Sequence, residues 1–328
     1  MMKLSTMFKV FETVDSEWRS PLAEKILEKW GYDEGSVYCL RASANFIFIF
    51  KKEGTTYYLR FNHACERELE FIEAELKIVQ YLGGFLTVAQ PVKSLNGKYV
   101  EVVETELGIF YGVVFEALEG QHYEIGELTN EQTYLWGKSL GKLHACLKTL
   151  PKQYRIYRPS WRDHLMKAKE LLPPNEEAAH REWEQIVKWA DGLNVTEENF
   201  GFIHYDFELD NVLFKNNAIG ILDFDDCSNY WYVADIVYAL RDVGDFNTDS
   251  PIIKTFIEGY KTETTLDLDL LKETYGFERL HKLVSLAVLI RAVDIEESQE
   301  YPEWLINLRK RLCNFMDEYR LSFEENSK

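Results

Sequence analysis

Long apolar runs are missing. The longest, such as Phe46–Phe50 and Leu286–Ile290, fall far short of the roughly 18–20 residues that carry a helix across a bilayer, so a membrane-spanning helix is excluded. Cysteine is sparse: five residues at 39, 65, 146, 227 and 313, with no C-x-x-C, which excludes a zinc knuckle or a thioredoxin-type motif and reads as reduced thiols. The 18 glycines never form G-x-G-x-x-G, so a dinucleotide fingerprint is absent; H-E-x-x-H and G-x-S-x-G are absent too. Gly137-Lys138-Ser139-Leu140-Gly141-Lys142 imitates a phosphate loop. It has one residue too few between its glycines, Leu143 where a Mg²⁺-binding hydroxyl belongs, and a helical setting. Basic charge is in deficit: 37 Lys and Arg against 55 Asp and Glu leave a net charge of −18. That disfavours nucleic acid and anionic lipid as partners and favours a small cation.

Apolar bulk is plentiful. Twenty Phe, 19 Tyr and 8 Trp in 328 residues exclude intrinsic disorder over most of the chain. The opening MMKLSTMFKVFETVDSEW has no apolar h-region, so a cytoplasmic protein is expected.

The texture changes near residue 120. Before it, Ser20-Pro21 and Gly31 bracket a short helix over 20–30, and strands are expected at Val37–Arg41, Phe46–Lys51 and Tyr57–Phe61. A helix over 66–82 carries Leu69, Ile72, Leu76 and Val79 on one face. Strands follow at Ala89–Ser94, Tyr99–Val103 and Phe110–Glu116, with an Asn96-Gly97 turn. After Gly120 helical patterns dominate, at 129–149, 161–171, 177–192, 231–243, 250–262, 267–292 and 303–323. One β island interrupts them between Phe202 and Phe224. The class is α+β, with a small, mostly antiparallel β lobe over 1–117 and a larger helical lobe over 118–328.

Residues 202–226, FIHYDFELDNVLFKNNAIGILDFDD, carry the chemistry. They read H-x-D-x-x-x-x-N, with a further Asp twelve residues on at a strand end. Phosphoryl transfer from ATP needs the γ-phosphate, an acceptor hydroxyl and Mg²⁺ held in line. An Asp beside the acceptor orients the hydroxyl and takes its proton, while an Asn and a second Asp offer hard oxygen ligands to Mg²⁺. These roles fall to Asp206, and to Asn211 and Asp223 as metal ligands.

This segment resembles the aminoglycoside phosphotransferase/choline kinase superfamily, where H-G-D-x-x-x-x-N and I-D-[FW]-[DEG] are typical. DNVLF…GILDFDDC…WYVADIVYAL is most similar to its type II homoserine kinase-like members. The resemblance covers about residues 35–243 and implies a two-lobe, protein-kinase-like fold that uses ATP and Mg²⁺. It implies that Arg60 contacts the nucleotide phosphates; a cation in an apolar strand needs a partner, and Glu75, within the apolar stripe of the 66–82 helix, is the choice, with Glu68 next in order. The turn with Ser43 and Asn45 would cover the nucleotide, and Glu116, Ala117 and Leu118 would hold adenine through their backbone. It makes His204 a structural residue and Asp235 an anchor of the catalytic loop; a helix first-turn acid is an equal reading of Asp235. Residues 42–45 lack the usual glycine, and Tyr205 stands where small-molecule kinases have Gly. His144 reads as a packed structural residue.

The expected activity is transfer of the γ-phosphate to a hydroxyl of a small molecule: an amino alcohol, an amino acid such as homoserine, or an aminoglycoside-like compound. Asp225, Asp226 and Asp242 are candidates to face a cationic acceptor. The alternatives are a protein Ser/Thr kinase of the same superfamily and a non-catalytic kinase-like protein. Only eleven residues separate Asp223 from Asp235, which leaves little platform for a peptide.

Overall fold

The structure, a computed structural model, describes residues 1–155, 157–244, 246–296 and 300–326, the side chains of 152 and 155 excepted. The first half is organised by one antiparallel sheet. Its strands are β1 (Tyr38–Ala42), β2 (Phe46–Lys52), β3 (Thr55–His63), β5 (Pro91–Val92), β6 (Glu101–Thr105) and β7 (Gly108–Glu116). The order is β1-β2-β3-β7, with β5 and β6 sharing the far edge of β7. Phe46, Phe48, Leu59, Phe61 and Phe110 fill one face with stacked and edge-on rings. Helix α2 (Pro21–Leu27) closes that face; Ser20 caps it by accepting from Ala23 N, and Trp30, just beyond it, is buried. Helix α3 (Leu69–Leu82) packs on the other face through Ile72 and Leu76.

Two features of this half depart from the sequence expectation. Helix α1 (Leu4–Phe11) was not anticipated, although Leu4, Met7 and Val10 are buried at helical spacing. The strand expected at 89–94 divides instead. The short β4 (Thr87–Val88) runs parallel to β10 (Ala218–Ile221) in another sheet, while Pro91 starts β5 at a sheet edge, where a missing N–H is tolerated.

The second half is helical: α4 (Asn130–Lys148), α5 (Trp161–Leu171), α6 (Glu177–Gly192), α7 (Tyr232–Ala239), α8 (Pro251–Tyr260), α9 (Thr274–Ala292) and α10 (Glu303–Asn326). Capping boxes start α4 at Thr129/Gln132 and α5 at Ser160/Asp163. The β island is two separate pieces. β8 (Phe200–Ile203) pairs with the unanticipated β11 (Ser228–Trp231), and the hairpin β9 (Val212–Lys215)–β10 (Ala218–Ile221) takes β4 as its third strand. Phe202, Ile203, Val212 and Ile221 are buried, so the loops between these strands stand on rigid supports.

The linker after β7 rests on that hairpin. Gln121 and Phe214 exchange backbone hydrogen bonds at 2.9 Å, and a Cβ on Gly120 would lie 2.8 Å from Leu213 Cβ. Helices α4 and α8 approach so closely that a Cβ on Gly137 would meet Phe256 O at 1.9 Å. Gly137→Ala is therefore expected to destabilise the fold by about 1–3 kcal/mol in denaturant titration. Gly192→Ala, at a helix end with nothing within 4 Å, should be neutral or stabilising by under about 1 kcal/mol.

Candidate active site

Strand β8 delivers the loop His204–Asp206. Its conformation is set by Asp235 in the first turn of α7, which accepts from His204 N and Tyr205 N at 2.8 Å each. The imidazole of His144 donates to the same carboxylate at 2.8 Å and accepts from the Tyr260 hydroxyl at 2.8 Å. Asp235 and His144 are completely buried, and burial, which outweighs the pull of Asp235, keeps the His144 pKa below its usual value. His204 Nε2 donates to Leu222 O at 2.9 Å while its Nδ1 accepts from Asp206 N, so its tautomer is fixed and it holds the loop against β10. The anchoring reading of Asp235 and the structural readings of His144 and His204 all match this geometry. Tyr205 sits at φ 75°, a left-handed conformation that costs a tyrosine of the order of 1 kcal/mol and that glycine adopts freely.

Asp206 and Asn211 meet directly: Asn211 Nδ2 donates to Asp206 Oδ2 at 2.8 Å and to Asp206 O at 2.9 Å. Asn211 O accepts from Leu222 N at 2.8 Å, which ties the Asn211 loop to the segment that carries Asp223. Asp223 follows β10 with φ 54°. Its Oδ1 lies 3.5 Å from Arg60 NH1. Arg60, buried on β3, makes a two-pronged pair with Glu75 of α3, NH1–Oε1 2.8 Å and NH2–Oε2 2.6 Å, and stacks on Phe115 at 5.0 Å. Asp206, Asn211, Asp223, Arg60 and Glu75 thus form one connected chain of contacts.

The other sequence candidates lie apart. Asn45 is buried, and its side chain is engaged on both sides: Oδ1 accepts from Asn62 at 2.6 Å and Nδ2 donates to Asp225 at 3.1 Å. Its amide is a structural bridge between β3 and the segment that carries Asp225. Ser43 N donates to Asn45 O, and Ser43 O accepts from Met2 N, so this turn is tied down even without glycine. Glu116 ends β7, where its N donates to Gln90 O; Ala117 follows, and Leu118 packs over Gly220 on the hairpin.

Sequence reasoning missed the arginines. Arg241, just beyond α7, donates to Asp206 Oδ1 at 2.7 Å, contacts Glu208, and is braced by Tyr238 O at 3.1 Å. Arg67 donates to both Asp225 and Asp226, so the cation facing these two acids is the chain's own. Arginine spacing in a chain with 37 basic residues offers no sequence signal for either.

The carboxylates divide accordingly. Burial alone would raise Asp206, but Arg241 beside it more than offsets that and holds it below the usual range. Glu208 loses the competition for the same guanidinium; burial first, then Asp206, push it up to about 8. Withdrawal from water in the cleft, then Asp225 and Glu75, push Asp223 up to about 7 against the pull of Arg60. The Asn211 side-chain oxygen and the Asp223 carboxylate are hard donors that fit Mg²⁺, whose remaining ligands are commonly water and phosphate. Beside Glu208 lies a cavity of about 360 Å³ lined by Glu124, Ile125, Gly126, Trp136, Glu208, Leu209, Asp210, Ala239 and Asp242, four of them carboxylates.

The phosphotransferase enzyme family matches residues 41–272. The chain is 24% identical over 304 residues to the amicoumacin kinase of Bacillus subtilis (strain 168), covering 87% of this chain and 89% of that one. Among solved structures it is similar to amicoumacin kinase in complex with AMP-PNP, Ca²⁺ and Ami (TM-score 0.77, 21% identity, 96% of both chains). It is also similar to a microcompartment-associated aminopropanol kinase (TM-score 0.69, 18% identity, 92% and 96%). A third is a spectinomycin phosphotransferase with ADP and spectinomycin (TM-score 0.61, 17% identity, 92% and 97%).

Two outcomes follow from the charge pairs. Glu75→Ala leaves the Arg60 guanidinium buried without its partner, and a loss of about 3–5 kcal/mol of stability is expected in chemical denaturation. Glu208 keeps its proton in the folded state up to about pH 8, while the unfolded chain releases it near 4.5. Its contribution to stability therefore declines as pH rises through that window. Glu208→Gln should remove this slope, so the variant gains stability relative to wild type between pH 5 and pH 8.

Proposed function

The chain belongs to the phosphotransferase enzyme family, as a small-molecule kinase, and on that premise we propose that it transfers the γ-phosphoryl group of Mg-ATP to a hydroxyl of an acceptor that carries an ammonium group. The observation that carries the acceptor class is the cavity beside Glu208: among the described residues its lining holds four acidic side chains and no Lys or Arg, in a chain of net charge −18. Arg241 bridges this cavity's Glu208 to Asp206, so a cation held there lies one guanidinium away from the catalytic carboxylate. The relatives' own substrates agree, since an aminopropanol is by name an amino alcohol.

In this reading residues 1–117 form the nucleotide lobe and 118–328 the catalytic and acceptor lobe. Arg60, kept in place by Glu75, meets the phosphates; Ser43 and Asn45 shape the turn above them; Glu116, Ala117 and Leu118 supply the backbone edge for adenine. Asn211 and Asp223 would hold Mg²⁺, which when bound neutralises charge on the phosphates. Asp206 orients the acceptor hydroxyl through Oδ1 or Oδ2 and receives its proton. Arg241 and Asn211 keep that carboxylate ionised and aimed. All five cysteines are free thiols, which supports a reducing, cytoplasmic setting. A protein acceptor is disfavoured: between Asp223 and Asp235 the chain holds Asp225 and Asp226 bound to Arg67, and then β11, which pairs with β8.

Asp206→Asn is expected to lower phosphate transfer about 10²–10⁴-fold. The assay is mass spectrometry of amino alcohols, amino acids including homoserine, and aminoglycosides incubated with Mg-ATP, with nucleotide binding checked alongside. Undiminished transfer in this variant would remove Asp206 from the mechanism. Phosphorylation confined to acceptors without an amine would remove the ammonium assignment.

A further inference from the structure

The metal-side loop, residues 223–227, is fastened to helix α3 by two arginines that touch neither Asp206 nor Asn211. Arg67, two residues before α3, donates to Asp225 Oδ2 and to Asp226 Oδ1 at 3.0 Å. Arg158, buried and far away in sequence, uses all of its guanidinium nitrogens on backbone carbonyls. Nε donates to Cys227 O at 2.9 Å, NH2 to Asp225 O, and NH1 to Phe71 O at 3.1 Å, inside α3. Phe71 lies one turn before Glu75 on that helix, and Asp225 N donates back to Asp223 Oδ1 at 3.3 Å. A side-chain clamp and a main-chain clamp thus tie the Asp223 loop to the helix that positions Arg60.

We infer that Arg67 and Arg158 are positioning residues that lock the metal-side loop to α3, so that Asp223 and the Arg60–Glu75 pair take up their places as one body. The inference rests on the reading of Asp223 as a metal ligand. The competing role for Arg67 is stability alone, through neutralising the Asp225 and Asp226 carboxylates. The sign of the metal effect separates the two. By electrostatics alone, removing a cation near Asp223, Asp225 and Asp226 strengthens divalent-metal binding. If Arg67 holds the loop in place, its loss weakens that binding, because a misplaced ligand costs more than the added charge returns; loss of supporting partners around metal ligands typically costs about 10–100-fold in affinity.

The test is a Mg²⁺ titration of the full-length protein with a fluorescent N-methylanthraniloyl ATP analogue, reading the Mg²⁺ concentration at half-maximal enhancement of binding. Arg67→Gln is expected to raise it about tenfold. Arg67→Lys keeps the charge but cannot span both acids; it is expected to raise it less, and it decides the matter if Arg67→Gln fails to fold. Arg158→Lys, which loses the three-carbonyl clamp without losing charge, should act in the same direction. Asp223→Asn serves as the reference and should abolish the metal enhancement. Retained enhancement in Asp223→Asn would overturn the metal reading itself. Loss there, with the arginine variants at or below the wild-type Mg²⁺ requirement, would overturn the clamp.

Discussion

The site hangs on one buried carboxylate. Asp235 has no exposed surface, and among the described residues its charge is balanced by three N–H donors rather than by a lysine or arginine. A carboxylate removed from water without such donors is prohibitively costly. Two of the three donors are main-chain groups of the His204–Asp206 loop, so the carboxylate dictates the path of that loop. It also stabilises the left-handed backbone at Tyr205, because charge-assisted hydrogen bonds are strong enough to offset the strain there. His144 adds the third bond and passes the constraint to Tyr260 on α8. The close contact between α4 and α8 is therefore linked to the His204–Asp206 loop through a short run of buried polar atoms.

Around this anchor, positive and negative groups alternate at short range. Arg60 lies between Glu75 and Asp223, Arg67 between Asp225 and Asp226, and Arg241 between Asp206 and Glu208. In each case one guanidinium serves two acidic side chains, so acids outnumber cations on both sides of the His204–Asp206 loop. The raised proton affinities of Asp223 and Glu208 express the same imbalance. A site with that surplus is prepared for cations.

The sheet region, the helical region and the candidate string were legible in the sequence because they rest on local pattern. Apolar and aromatic runs marked β2 and β3, the 3.6-residue stripe marked α3, and the spacing of Asp206, Asn211 and Asp223 marked the candidate site before any fold was known. The Arg60–Glu75 pair was legible too, since a cation in an apolar strand needs a partner and Glu75 was the acid within the apolar stripe. What escaped was decided by distant partners. β4 is two residues long and exists only because β10 lies beside it. β11 was absorbed into the apolar run of α7. Arg241, Arg67 and Arg158 are ordinary surface-type residues in the sequence and become site residues only through contacts made after folding.

The pairing of β4 with β10 also bears on how the chain reaches this structure. Thr87 and Val88 find their strand partners at Gly220 and Ile221, and Ser5 of α1 bonds Asp294. Contacts so remote along the chain close large loops and form late. During synthesis the first sheet can assemble from neighbouring hairpins, but the segment after α3 must wait for the hairpin β9–β10, and the first helix for the end of α9. The two halves, distinct in architecture, are thus unequal in autonomy: the nascent sheet half remains unfinished until the ribosome has released the helical half.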